Sequence, residues 1–224
     1  MPVTRRSMHS LLRSALRAIG APEGANSGFP GLKSVRPRET VAPDHEFEAV
    51  LRCAGPMLEL AMLLAREAGL RHKAIRELRL VNCNFELGLL IGRTKSWSTY
   101  NVPMTRRLKA KLMWACQGVR DPAMPILQQF NRGQRPVCGT NLGNKLLDAK
   151  KAAGVTGGWG LHDLRRSGAR ALFSKTGDIK KVQRFLGHVN PQHSWWYLGL
   201  QATELDQADV EACSPEQEQV KGVA

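Results

Sequence analysis

Tyr197 stands nine residues after His188, and His188 closes a segment that opens with His162-Asp163-Leu164-Arg165. Two histidines, an arginine and a tyrosine thus fall at set distances within one run, HDLRRSGARALFSKTGDIKKVQRFLGHVNPQHSWWYL. These residue types suit phosphoryl transfer. Arginine forks a phosphate through two parallel N–H donors. Histidine moves protons near neutral pH, and tyrosine can serve as a covalent nucleophile. The run itself reads as consecutive short helices over 162–176, 179–186 and 191–201, with Asp178 as the cap of the middle one.

In this order and spacing the set resembles the tyrosine recombinase, or phage integrase, family. That family carries H-x-x-R, then L-G-H, then a nucleophilic tyrosine. Here these are His162 to Arg165, Leu186-Gly187-His188, and Tyr197. The family also opens its site with an arginine in a G-L-R turn, matched by Gly69-Leu70-Arg71. An acid usually follows three residues later; this chain has Ala74 there, with Glu77 as the substitute to consider. The family lysine lies in a β-hairpin ahead of V-P-[LM]. Thr94-Lys95-Ser96 and Val102-Pro103-Met104 match it, with Arg93 as the competing cation. The candidate catalytic residues are therefore Arg71, Lys95, His162, Arg165, His188 and Tyr197. Taken singly, Arg71 and Lys95 read as solvated surface charges; only the ordered set raises them above that.

The resemblance implies a mechanism. Arg71 and Arg165 grip the non-bridging phosphate oxygens, His188 adds a hydrogen bond, and Tyr197 attacks phosphorus to leave a 3′-phosphotyrosine. His162 would be the base and Lys95 the acid for the 5′-leaving oxygen. It implies no cofactor, no metal and no ATP. The partner is double-stranded DNA, engaged by a homo-tetramer on paired recombination sites. The implied fold is mainly α with a small antiparallel β-sheet (α+β). The alternatives are a type IB topoisomerase-like nicking and closing enzyme, and an integrase remnant that binds DNA without cutting it. Trp195 and Trp196 are expected to pack in the core, and Arg166 to face backbone phosphate or solvent.

Composition agrees with a polyanionic partner. Lys and Arg number 33 against 19 Asp and Glu, and the pI is near 10.1. The charge is uneven. Residues 201–224 hold six acids and one lysine, so the first 200 residues carry +19 of the overall +14. Five scattered cysteines with no C-x-x-C pair argue for a reducing, cytoplasmic setting, with nucleoid association implied by the resemblance. Each cysteine is expected to be a small core residue. There is no P-loop, carboxylate trio or His/Cys cluster, no secretory signal, and no apolar run long enough for a membrane span.

The elements that must position the set follow from periodicity. Residues 7–19 suit an amphipathic helix, and GAPEGANSGFPG after it reads as a linker. Helices are expected from Asp44, as a cap, through Leu51, and at 57–68, 72–78, 105–117 and 140–153; strands are expected at 86–92 and 99–104. Residues 118–138 read as irregular. The domain scheme is 1–39, a helix and basic linker, with a remnant of a core-binding domain as one reading; 40–203, the catalytic domain; and 204–224, an acidic tail. By resemblance that tail docks on a neighbouring protomer. Such brevity ahead of residue 40 is similar to minimal members such as fimbrial invertases, or to a shortened integrase.

Overall fold

The computed structural model describes residues 40–93, 99–117, 119, 121–131, 137–188 and 190–198. The expected helix at 7–19, the hairpin tip with Lys95, and the tail from 201 onward lie outside them.

The described chain is helical with one small sheet. Helix α1 spans Asp44–Cys53, α2 Pro56–Glu67 and α3 His72–Glu77. Strands β1 (Cys83–Asn84), β2 (Leu89–Arg93) and β3 (Thr99–Pro103) form an antiparallel sheet in that order. Helices α4 (Arg106–Cys116) and α5 (Gly139–Ala152) follow, then α6 (Leu161–Thr176), α7 (Ile179–Leu186) and α8 (Pro191–Leu198).

Helix α2 is the axis of the core. Pro56 begins it, where a missing N–H costs nothing. Met57, Leu58 and the run Leu60 to Ala65 are all buried, so the helix is apolar around its whole circumference and has neighbours on every side. Helix α6 packs against it through Gly168, where a Cβ would collide with the Arg66 carbonyl oxygen. A side chain at 168 would push the two backbones apart. On the sheet, Leu90 pairs with Val102 and both are buried, while their neighbour Ile91 is partly exposed, the alternation of a half-buried strand.

The capping chemistry sets the helix ends that matter for the site. Gly177 terminates α6 at φ 61 and Gly187 terminates α7 at φ 56, both left-handed conformations that favour glycine. Asp178 accepts the backbone N–H groups of Lys180 and Lys181, as its position before α7 predicts.

Several expectations are corrected. Asp44 is not a cap: Pro43 occupies that position, and the Asp44 carboxylate, in the first turn, pairs with Arg66 instead. Strand β2 begins at 89 rather than 86, because the chain turns before it and Gly88 takes φ 65. Two-residue β1 carries no periodic signal and went unread. A 3-10 helix, Ile126–Asn131, lies in the stretch read as irregular. Helix α8 is described over Pro191–Leu198, and its expected end at 201 lies outside the described residues. The cysteine expectation holds in part: among the described residues Cys83 and Cys116 are half-buried and pack against the core, whereas Cys53 and Cys138 are exposed. The Cys138 sulfur caps α5 by accepting the N–H of Asn141. Trp195 is 40% exposed and meets Phe173 edge to face at 6.2 Å.

Candidate active site

Helix α6 opens at Gly160, whose N–H donates to the Asp163 carboxylate at 2.9 Å. This reciprocal start sets the first turn, so His162, Arg165 and Arg166 leave the helix within about one turn of its N-terminus. The loop ahead of it is held from behind. Lys150, 6% exposed, donates to the carbonyls of Gly157 and Trp159.

Arg165 is 3% exposed. Its Nη1 donates to the Gly69 carbonyl and its Nη2 to the Leu186 carbonyl at 2.6 Å, while Nη2 lies 3.5 Å from His188 Nε2. One guanidinium therefore ties the turn after α2 to the turn after α7. Gly69 lends itself to this: it sits at φ 59, and a Cβ there would lie 2.6 Å from the Phe185 ring. Burial pulls the Arg165 guanidinium down to about 10, and it remains a cation at neutral pH.

Arg71 caps the start of α3 from an extended backbone conformation and is exposed. Its carbonyl accepts the Ile75 N–H at 3.0 Å, but its guanidinium has no hydrogen bond or ion pair with a described residue. Ala74 packs against the core, and Glu77 pairs with Lys73 at 3.7 Å, so neither supplies Arg71 with a carboxylate. A cavity of about 720 Å3 has Arg71 and Arg165 in its lining, together with Gly69, Gly92, Leu186 and Gly187. Gly92 lies on β2 just ahead of the hairpin tip. Lys95 itself falls outside the described residues.

His188 follows the left-handed Gly187, and its own carbonyl accepts from Gln183 Nε2 at 2.9 Å. Its Nδ1 lies 3.1 Å from Ser194 Oγ. Ser194 is fully buried on α8, one turn before Tyr197. This partner was missed from sequence. The signal available was its i−3 spacing from Tyr197, which puts both side chains on one helix face. Burial lowers His188 to about 4, reinforced by Arg165, Arg71, His193 and His162, so the imidazole is neutral at pH 7. His162 is lowered too, by desolvation and then by Arg165 and Arg166.

Tyr197 occupies the centre of this group. The rings of His162 and His188 each meet it edge to face at 5.5 Å. The guanidiniums of Arg165 and Arg166 lie 5.7 and 5.1 Å from its ring centroid. Its hydroxyl donates to the His162 backbone carbonyl at 3.3 Å, not to the imidazole. Burial raises its phenol, and the two arginines oppose that rise. Arg166 corrects an expectation: it is 5% exposed and faces neither solvent nor an open surface.

The structure thus brings His162, Arg165, His188 and Tyr197 together, and Arg71 lines a cavity with Arg165. Solved structures share this fold. The XerA recombinase is 17% identical at TM-score 0.63, covering 91% of this chain and 71% of that one. A lambda integrase dimer bound to a COC′ core site is 20% identical at TM-score 0.65, covering 91% and 74%. The XerH site-specific recombinase bound to its difH substrate is 17% identical at TM-score 0.67, covering 95% and 65%. No curated protein sequence matches. The architecture is that of a tyrosine recombinase catalytic domain. The profile of the phage integrase family matches residues 44–204, and the chain belongs to that family.

Proposed function

We propose that this protein is a site-specific DNA recombinase that cuts and rejoins strands through a 3′-phosphotyrosine at Tyr197, without metal or ATP. The observation that carries this reading is Arg165. Buried between two backbone turns, it stands beside His188 and Tyr197 and shares a cavity with exposed Arg71. A DNA phosphodiester is anionic, so a nucleophile approaches it against charge. Two guanidiniums fixed before the reaction lower that barrier by positioning and electrostatics. Arg71, solvated and unpaired among the described residues, is poised to take one non-bridging oxygen; Arg165 takes the other.

His188 donates from Nε2 to the same phosphate. Its neutral state permits this when Ser194 Oγ donates to Nδ1 and leaves the proton on Nε2, the phosphate then standing between that N–H and the Arg165 Nη2 donor it faces in the free site. Tyr197 must release the His162 carbonyl and turn its hydroxyl to phosphorus. On that path it passes the His162 imidazole, whose lowered proton affinity leaves it unprotonated and able to accept the phenolic proton. Lys95, on the hairpin that leaves β2 at the cavity, protonates the 5′-oxygen as it departs. The catalytic module is residues 40–203. The tail from 204 links protomers of a tetramer.

The test is covalent trapping. On a nicked suicide substrate the wild-type chain forms a denaturation-resistant adduct, Tyr100→Phe forms it equally, and Tyr197→Phe forms none. An undiminished adduct from Tyr197→Phe rejects the assignment.

A further inference from the structure

Arg166 is a charged side chain of the site that the reading above leaves without a task. It is 5% exposed, and its guanidinium lies closer to the Tyr197 ring than that of Arg165. Its counter-charge, Asp163, is 4.0 Å away, and the other oxygen of that carboxylate already accepts from Gly160. Arg166 Nε and Nη1 have no hydrogen-bond partner. A buried cation so poorly satisfied costs stability. Arg165 differs, because both its terminal nitrogens are engaged by backbone carbonyls.

A guanidinium over a neutral phenol gains only the weak attraction of the ring quadrupole. The same guanidinium near a phenolate meets a full negative charge. Its interaction therefore strengthens as the proton leaves, which is what an acceleration of the chemical step requires. We propose that Arg166 is a positioning residue for the nucleophile, acting through Tyr197, alongside Arg165, to favour the phenolate and to hold the ring. The inference rests on Tyr197 being the nucleophile.

The other charged or titratable groups around the phenol are His162, Asp163 and Arg165 from α6, and His188 from the turn after α7. His193 lies on Tyr197's own helix, and Arg71, ahead of α3, acts on the two neighbouring histidines. A substitution at 166 leaves their identity unchanged but removes the counter-charge of Asp163 and one of the charges that lowers His162, so the titration of Tyr197 itself is the readout. Deprotonation sends the phenolic proton to His162 or to solvent, and the phenolate pair later forms the bond to phosphorus as the 5′-oxygen departs.

The chain has two tyrosines, so a Tyr100→Phe background leaves Tyr197 alone. In that full-length background, the phenolate absorbance and the Cζ carbon-13 shift of labelled tyrosine report its ionisation directly. Arg166→Met, which keeps the buried volume without the charge, is expected to move the titration to higher pH by about one pH unit. Arg166→Lys is expected to titrate close to the parent. Arg166→Gln replaces Met if the melting profile shows that the Met variant does not fold. If the uncharged variant titrates with the parent, or if Lys shifts as far as Met, the proposal is overturned. A shifted phenol with an adduct still formed by Tyr197→Phe would instead remove the nucleophile reading, so the two failures are told apart.

Discussion

At the scale of single residues, the site is governed by burial. His188 illustrates the sign of its consequences. In the folded chain it titrates at about 4, against 6.5 for an ordinary histidine. The unfolded chain therefore binds its proton more readily. The stability that neutral His188 contributes is complete above pH 6.5 and is lost as pH falls towards 4. Melting temperatures measured from pH 7 to 4 should fall with pH, and His188→Gln should flatten the fall; an unchanged slope would show that His188 is not responsible. Ser194 is the second case. Ser194→Ala removes the partner that sets the His188 tautomer. A hydrogen bond of this kind is worth about 1 kcal/mol. The rate of adduct formation should therefore fall by about fivefold, and the melting temperature by about 2–4 °C. A rate equal to wild type would place the tautomer under other control.

At the scale of elements, the site depends on how closely α2 and α6 approach. Gly168 lies against the Arg66 backbone carbonyl, and Gly69 lies against Phe185. Alanine is the better helix former by about 1 kcal/mol, yet at 168 its methyl would meet a backbone oxygen that cannot swing aside. Overpacking costs about 1–3 kcal/mol. Gly168→Ala should lower the melting temperature despite the propensity gain, and should cut adduct formation further because Arg165 leaves α6 one turn earlier. A variant as stable as wild type would mean that the two helices slide apart freely.

At the scale of the whole molecule, formal charge overstates what DNA can reach. Arg107 is held by Glu48 and Glu67, Lys111 by Glu59, and Lys150 is buried under two carbonyls. These cations hold α1, α2, α4 and the loop before α6 in place. Binding should weaken with salt at about −0.9 in log affinity per phosphate neutralised. Arg107→Ala should leave that slope unchanged and lower the melting temperature, whereas Arg71→Ala should reduce the slope by about one. If Arg107→Ala reduces the slope equally, its ion pairs open on DNA.

Much of the protein was legible in its sequence because short-range rules dictated it. Periodicity located α2, α4, α5, α6 and α7 to within a residue or two, since an amphipathic or wholly apolar helix declares itself over two or three turns. Asp178 announced the start of α7 through capping chemistry alone, while the left-handed glycines 177 and 187 that end α6 and α7 emerged only from the structure. The order H-x-x-R, L-G-H, Tyr carried the family. Tertiary structure decided what depends on partners distant in the chain. Asp44 turned from a cap to an Arg66 partner because α2 passes beside it. Arg166 went inward because α8 lays Tyr197 across α6. Ser194 joined the site because the turn at Gly187 aims His188 at α8. Spacing along a chain specifies which residues share a helix face; only packing specifies which faces meet.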